Sequence, residues 1–230
     1  MERGRIAAQR TAEGWDCGLV ADWLRDGAVA GAIVSSTRGD AASVAAALRS
    51  RVPRVVVFTS ATPVPIRNAY ATPGTLGCDR LAAAVGAAAL FPGRDALVVD
   101  LGTAVTFDLV TADATFRGGC ISPGLALRFK ALHEHTARLP LCRASDGECL
   151  VGTSTRDAVT HGVVNSLTFE IEGYIARMEA LYPGLCVIFT GGDANFFAKR
   201  IKNTIFANCN PVLRGLERIL EYDASEEHLD

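Results

Sequence analysis

Three short runs of apolar and β-branched residues follow one another with almost nothing between them: Ala96 to Val99, Val105 to Val110 and Thr115 to Ile121. Links this short cannot carry a chain over to a parallel neighbour, which needs a crossover of a dozen or more residues. They permit hairpins only, so the stretch is expected to form an antiparallel meander. Behind it the spacing predicts a helix over 125–139 and a long amphipathic helix over 155–181. A buried strand over 186–189, a helix over 193–202, a short strand over 205–207 and a last helix over 213–222 complete the second half.

The first half carries the tail of the same pattern. Val29 to Ser36 reads as a strand and Ala41 to Arg51 as an alanine-rich helix with Asp40 placed to cap it. Val55 to Phe58 is a buried strand. A loop containing Pro63, Pro65 and Pro73 then leads to a helix over 81–90. Residues 3–10 read as a short polar strand. Trp15, Leu19, Val20, Trp23 and Leu24 share one face of a helix. Three antiparallel strands that run on into parallel α/β units are the pattern of an actin-like, ribonuclease H-like half domain. The expected fold is therefore α/β with two such halves, 1–93 and 94–230, the first lacking its opening β-hairpin.

Composition removes several classes of function. Lys and Arg total 23 against 25 Asp and Glu, a balance that argues against nucleic-acid binding by bulk charge. The acidic tail around Glu226, Glu227 and Asp230 reads as a frayed terminus. The seven cysteines are odd in number, irregularly spaced and without a C-x-x-C pair, so neither a disulfide framework nor a structural zinc is expected. Buried thiols in a reducing cytosol are the simpler reading. No signal peptide is read at the start. The longest apolar run, Leu81 to Phe91, is too short to span a bilayer. A cytoplasmic protein, away from membranes, is the expectation. His133 and His135 stand two apart on a helix and make a poor metal pair, and Asp108 reads as a solvated edge residue.

Four motifs carry chemistry. Asp100-Leu101-Gly102-Thr103-Ala104-Val105-Thr106 sits at a hairpin turn after a buried strand. Gly102 lets backbone approach a phosphate, Thr103 and Thr106 offer hydroxyl donors, and Asp100 can hold a cation that bridges phosphates. An ordinary Asp-Gly turn is the plain alternative. Gly118-Gly119-Cys120-Ile121-Ser122-Pro123-Gly124 needs backbone lying flat against a ligand or helix, or is turn punctuation. Thr190-Gly191-Gly192-Asp193 opens a helix after a strand, a place suited to a nucleotide. Gly77-Cys78-Asp79-Arg80 puts a carboxylate and a guanidinium at a helix start, either as general base and anion clamp or as cap and solvated arginine.

In this order the motifs resemble one family, the type III pantothenate kinases, within the superfamily of sugar kinases and actin. The matching stretches are Tyr70-x-x-Pro-x-x-x-Gly-x-Asp-Arg, Asp-x-Gly-Thr-Ala-x-Thr, Gly-Gly-x-Ile-x-Pro-Gly, Leu139-Pro140, Gly152-x-x-Thr155 and Thr-Gly-Gly. The helix Leu127-Arg128-Phe129-Lys130-Ala131-Leu132 also looks like this family, and the likeness runs over about residues 30 to 220. The resemblance implies ATP-dependent phosphorylation of pantothenate to 4'-phosphopantothenate, the first step of coenzyme A synthesis. It implies that Asp79 is the general base and that Tyr70, Gly77, Cys78 and Arg80 line the substrate site. It implies a homodimer in which Thr155 reaches the pocket of the partner subunit. Asp100 would bind potassium or ammonium, Thr103 would contact Mg-ATP beside Gly102 and Thr106, and Gly191 and Gly192 would lie near the adenosine.

One departure qualifies the likeness. The family opens with a strand and an Asp-x-Gly-Asn-Thr loop that holds phosphates and metal, and that motif is absent from this sequence. About 10–20 residues, one hairpin, separate the two patterns. A poor kinase is therefore expected of the chain as written, and a non-catalytic regulatory dimer is the rival reading. A sugar or acetate kinase is a third, against which the Gly-x-Asp-Arg helix start argues. The dimer is expected along the helix over 155–181, whose Val159, Val163, Leu167 and Ile171 form an apolar stripe that also suits a core.

Overall fold

The computed structural model describes residues 1, 6–9, 20, 24, 29–36, 40–203, 205–207 and 209–226. The expected helix of Trp15 to Leu24 lies outside them except for Val20 and Leu24, both helical. Of the expected strand over 3–10, the described residues 6–9 are not in a strand. The elements are β1 (Ala32–Val34), α1 (Ala41–Arg49), β2 (Val55–Val57), β3 (Arg67–Asn68), a 3-10 turn (Pro73–Thr75) and α2 (Cys78–Leu90). There follow β4 (Ala96–Leu101), β5 (Ala104–Thr111), β6 (Thr115–Pro123), α3 (Leu125–Glu134), α4 (Thr155–Leu181), β7 (Cys186–Thr190), α5 (Ala194–Ala198), β8 (Ile205–Ala207) and α6 (Pro211–Glu226). The chain divides into two compact units, residues 1–90 with 211–230, and residues 91–210.

In the first unit β1 and β2 pair in parallel, Ala32 opposite Val55 and Val34 opposite Val57. Helix α1 ends at Arg49, two residues short of the expected Arg51. Asp40 occupies its N-cap, but its carboxylate accepts from Ser36 Oγ and from no helix amide. The C-terminal helix α6 groups with this unit rather than with residues 94–210, and glycines are the reason. A Cβ on Gly86 would lie 1.8 Å from the Pro211 carbonyl oxygen, and one on Gly215 would lie 1.7 Å from that of Ala82. The two helix backbones are therefore in contact, closer than the 8–10 Å axis separation ordinary side chains set. The Arg54–Asp223 ion pair ties α6 to the residue before β2.

The second unit holds the expected meander, with the strands in the order β6-β5-β4-β7-β8. The β4–β5 and β5–β6 pairs are antiparallel, and β7 and β8 run parallel beyond β4. This is the strand order of an actin-like, ribonuclease H-like α/β fold. Leu97, Val99, Leu101, Val105, Phe107, Val187 and Phe189 face α4 and α3 in one apolar cluster. Val159, Val163, Leu167 and Ile171 belong to that cluster, at 7%, 6%, 0% and 0% exposure. The stripe is core, and any second copy must meet α4 elsewhere. Asp108 is also not the solvated residue expected: it is 1% exposed and accepts a hydrogen bond from Thr106 Oγ1 at 2.9 Å. Gly119 makes the space, since a Cβ there would lie 2.5 Å from Asp108 Oδ1. Gly118, at φ +97°, turns the bulge between Leu109 and Val110.

Adding a methyl at either crossing glycine should force α2 and α6 apart. Gly86→Ala and Gly215→Ala should each lower stability by about 1–3 kcal/mol or more. Urea unfolding midpoints will read this, and wild-type midpoints in both variants would contradict the backbone contact.

Candidate active site

In the second unit the chemistry gathers at the end of β4. Asp100 stands in register between Thr106 on β5 and Thr190 on β7, so the carboxylate has a hydroxyl residue on each side, on one face of the sheet. Backbone closes around it. Gly191 has φ +91°, a left-handed conformation that favours glycine, and a Cβ there would lie 2.6 Å from Asp100 Oδ1 and 2.5 Å from the Leu101 carbonyl carbon. The Asp193 amide donates to the Leu101 carbonyl at 3.0 Å and Gly124 donates to the Thr103 carbonyl at 3.0 Å. A Cβ on Gly124 would lie 2.2 Å from the Gly102 carbonyl oxygen. Three sequence motifs thus converge on one hairpin tip.

The individual roles differ from their first reading. The Thr106 hydroxyl gives its hydrogen to Asp108, so it presents lone pairs and not a donor. Thr103 is exposed at the tip. Gly192 is exposed and has open space where a Cβ would stand, so only Gly191 of the pair is sterically required. Thr190 and Gly124 lie in motifs the sequence displays, but their place beside Asp100 and Thr103 comes from strand register and a backbone contact, which a single sequence does not display. Beside the tip, a cavity of about 540 Å³ is lined by Leu125, Phe129, Lys130, His133, Cys142 and Asp193, among others. Burial pushes the Asp193 carboxyl above its ordinary range.

The first unit positions the other set. Helix α2 begins at Cys78, and the Asp79 carboxylate folds back so that Oδ1 accepts the Arg80 amide at 2.8 Å. A Cβ on Gly77 would sit 2.5 Å from that Oδ1, so glycine at 77 is what lets the carboxylate lie there. Asp79 is exposed, whereas Arg80 is 8% exposed with its guanidinium 5.5 Å from the centre of the Tyr70 ring. Tyr70 is held in turn by its amide donating to Asn68 Oδ1 at 3.0 Å. The Cys78 thiol is pushed up, first by burial and then by the negative Asp79 beside it, which keeps it a poor nucleophile at neutral pH. Thr155 is the first residue of α4, exposed, behind the cap in which Ser154 Oγ accepts the Asp157 amide at 3.1 Å.

Chemically, the second unit offers an oxygen-rich, glycine-walled place for a phosphate and a hard cation. Carboxylate, hydroxyl and carbonyl oxygens at the end of β4 match what magnesium or a monovalent cation takes. The first unit offers an accessible carboxylate with a fixed orientation. Among the described residues no group of three or more His, Cys, Asp or Glu stands ready to hold a metal unaided, and no helix there is long and apolar enough to cross a membrane.

The chain is similar to known proteins in a consistent way. The model of the family described as type III pantothenate kinase matches residues 3–177. A protein of that name from Flavobacterium psychrophilum is 46% identical over 158 residues, 69% of this chain and 66% of that one. One from Phocaeicola vulgatus is 47% identical over 169 residues, 74% of this chain and 70% of that one. The chain thus spans about two thirds of the relatives it matches. Among solved structures, a conserved protein of the Baf family of transcriptional activators from Campylobacter jejuni shares the fold, with a TM-score of 0.59 at 20% identity over 90% of this chain and 89% of that one.

If Asp79 lies against the Cys78 thiol as described, removing its charge lets the thiolate form more readily. Asp79→Asn should speed alkylation of Cys78 at pH 8 severalfold, because the charge that disfavours the thiolate is gone. Mass spectrometry of each labelled cysteine measures it, and an unchanged Cys78 rate would remove the carboxylate from that position.

Proposed function

The chain belongs to the type III pantothenate kinase family, and from that premise we propose that it transfers the γ-phosphoryl group of ATP to the primary hydroxyl of pantothenate. The product is 4'-phosphopantothenate, and the step is the first of coenzyme A synthesis. The observation that carries this reading is the Asp100 carboxylate enclosed by Gly102 and Gly191, with threonines on both neighbouring strands. A carboxylate walled by glycine backbone is of little use to a core and well suited to a phosphate-bound cation.

Asp79 acts as the general base. With Oδ1 holding the Arg80 amide, the other carboxylate oxygen takes the proton of the substrate hydroxyl as the hydroxyl oxygen bonds to the γ-phosphorus and ADP departs with the bridging oxygen. Arg80 stands beside it as a positive charge for the substrate carboxylate, its orientation set by Tyr70; Gly77 and Cys78 complete that lining. On the nucleotide side, Gly102 and Thr103 bring backbone and a hydroxyl to the phosphates. Thr106 and Asp100 supply oxygens to a potassium or ammonium ion. Gly191 and Gly192 lie along the ribose, and the cavity beside Asp193 has the size and apolar walls for an adenine. Magnesium supplies charge neutralisation on the phosphates when it is bound with ATP.

The functional unit in this reading is a cytoplasmic homodimer, joined along the outward face of α4. Ala158, Gly162 and Ser166 are small and exposed there, and a groove of about 490 Å³ runs beside them, lined by Leu132, Leu139 and Thr155. Phe169, 55% exposed on the same helix, is a natural anchor. Thr155 at the end of this face then serves the partner's pantothenate pocket.

Asp79→Asn should lower kcat for pantothenate by about 10²–10⁴ in an ADP-release assay with magnesium and potassium. The exposed position predicts an unchanged melting temperature, and normal turnover by this variant would exclude Asp79 as the base. Light scattering at micromolar concentration should give a dimer for the wild-type chain and a monomer for Gly162→Arg. A monomeric wild type would dispose of the α4 interface.

A further inference from the structure

Helix α3 carries a side chain that the reaction as described does not use. Arg128, one turn in from the helix start, points back towards it. Its Nε donates to the Pro123 carbonyl at 2.8 Å and its Nη2 to Ser122 Oγ at 2.9 Å. The same nitrogen pairs with Glu170 Oε2 on α4, with the two side chains 17% and 23% exposed. At that burial the pair is less screened than a surface ion pair, and charge-assisted bonds in a fixed fork hold geometry well.

What Arg128 holds leads straight to the phosphate turn. Ser122 and Pro123 end β6, opposite Val105 and Ala104 of β5. The next residue, Gly124, is the N-cap of α3 and donates to the Thr103 carbonyl. A Cβ on Gly124 would stand 2.2 Å and 2.4 Å from the Gly102 and Thr103 carbonyl oxygens, so the two segments touch through backbone with no slack between them. A shift of residues 122–124 must therefore be passed to residues 102–103, because close-packed backbone transmits displacement and cannot absorb it.

We propose that Arg128, held by Glu170, is a positioning residue for the ATP-phosphate turn: it fixes Ser122–Gly124, and through the Gly124–Thr103 contact it sets where the Gly102–Thr103 backbone stands. Arg128 touches no substrate in this scheme. Lysine cannot replace it, since three acceptors in three directions need the planar guanidinium and not a point charge. The consequence for ATP rests on the kinase reading above; the positioning of the turn does not.

The experiment compares the full wild-type chain with Arg128→Met, Arg128→Lys and Glu170→Gln. Amide hydrogen exchange is the first readout. In Arg128→Met the amides of Gly102 and Gly124 should exchange about tenfold faster or more, while the α4 core from Leu167 to Ile175 keeps its protection. Steady-state kinetics are the second. KM for ATP should rise about tenfold with KM for pantothenate within about twofold of wild type; Arg128→Lys should recover little of this and Glu170→Gln should fall between. Unchanged exchange at the turn would overturn the proposal. So would an even loss of protection throughout residues 91–210, or an equal rise in both KM values, either of which makes Arg128 a general stabiliser. If Arg128→Met does not fold, Arg128→Lys and Glu170→Gln carry the same comparison. A wild-type chain that phosphorylates no pantothenate would refute the kinase reading, and the exchange data would still decide the role of Arg128.

Discussion

Backbone packed against backbone, with no side chain between, is the constraint on which the second unit depends. At the end of β4 the chain segments 101–103, 123–124 and 190–193 approach to distances that only glycine tolerates. An active site made of loops is ordinarily its most pliable part. Here the loops brace one another, and the bracing leaves carbonyl and amide groups satisfied in pairs, Gly124 to Thr103 and Asp193 to Leu101. Phosphoryl transfer asks little covalent chemistry of a protein and a great deal of placement, so rigidity at this point is chemically useful.

The carboxylates of the two strands beneath are sorted by environment. Asp100 ends β4 among glycines, half-buried, while Asp108 lies deep on β5 in a niche that Gly119 leaves open. Thr106 lies between their positions and commits its hydrogen to the deeper one. A buried carboxylate left without donors would be strongly destabilising. Satisfying Asp108 in this way also turns the Thr106 oxygen into an acceptor on the side where Asp100 stands, which assembles an oxygen-only environment suited to a hard cation.

Helix α4 serves two surfaces at once. One side is core, from Val159 to Ile175, against β4, β5 and β7. The other is a line of small residues ending in Phe169. Glu170, at the margin, reaches Arg128 and through it the hairpin tip. In the proposed dimer, the helix that joins the copies is thus also the one that braces the nucleotide turn, which gives assembly a physical route to the site.

Much of this was legible in the residues. The meander over 96–121, helix α4 from Thr155 to Leu181 and the parallel strand at 186 follow from period and spacing, because short links force hairpins and a long 3.6-residue period forces a helix. The motif residues Asp79, Asp100, Gly124 and Gly191 were visible for the same local reason, since turn chemistry is written in consecutive positions. Pairing across distance was not legible. Nothing near Asp108 marks it as buried, nothing near Thr190 aligns it with Asp100, and nothing near Gly215 announces Gly86. The stripe on α4 suited a core as well as an interface, and only the sheet packed against it makes it core. The sequence by itself determined the elements and the chemistry each carries, because those are set by neighbours along the chain. Which side chains face one another, which carboxylate is buried and which glycines have no space for a methyl were decided only by the tertiary structure, because register and close approach depend on separate segments of the chain meeting in one place.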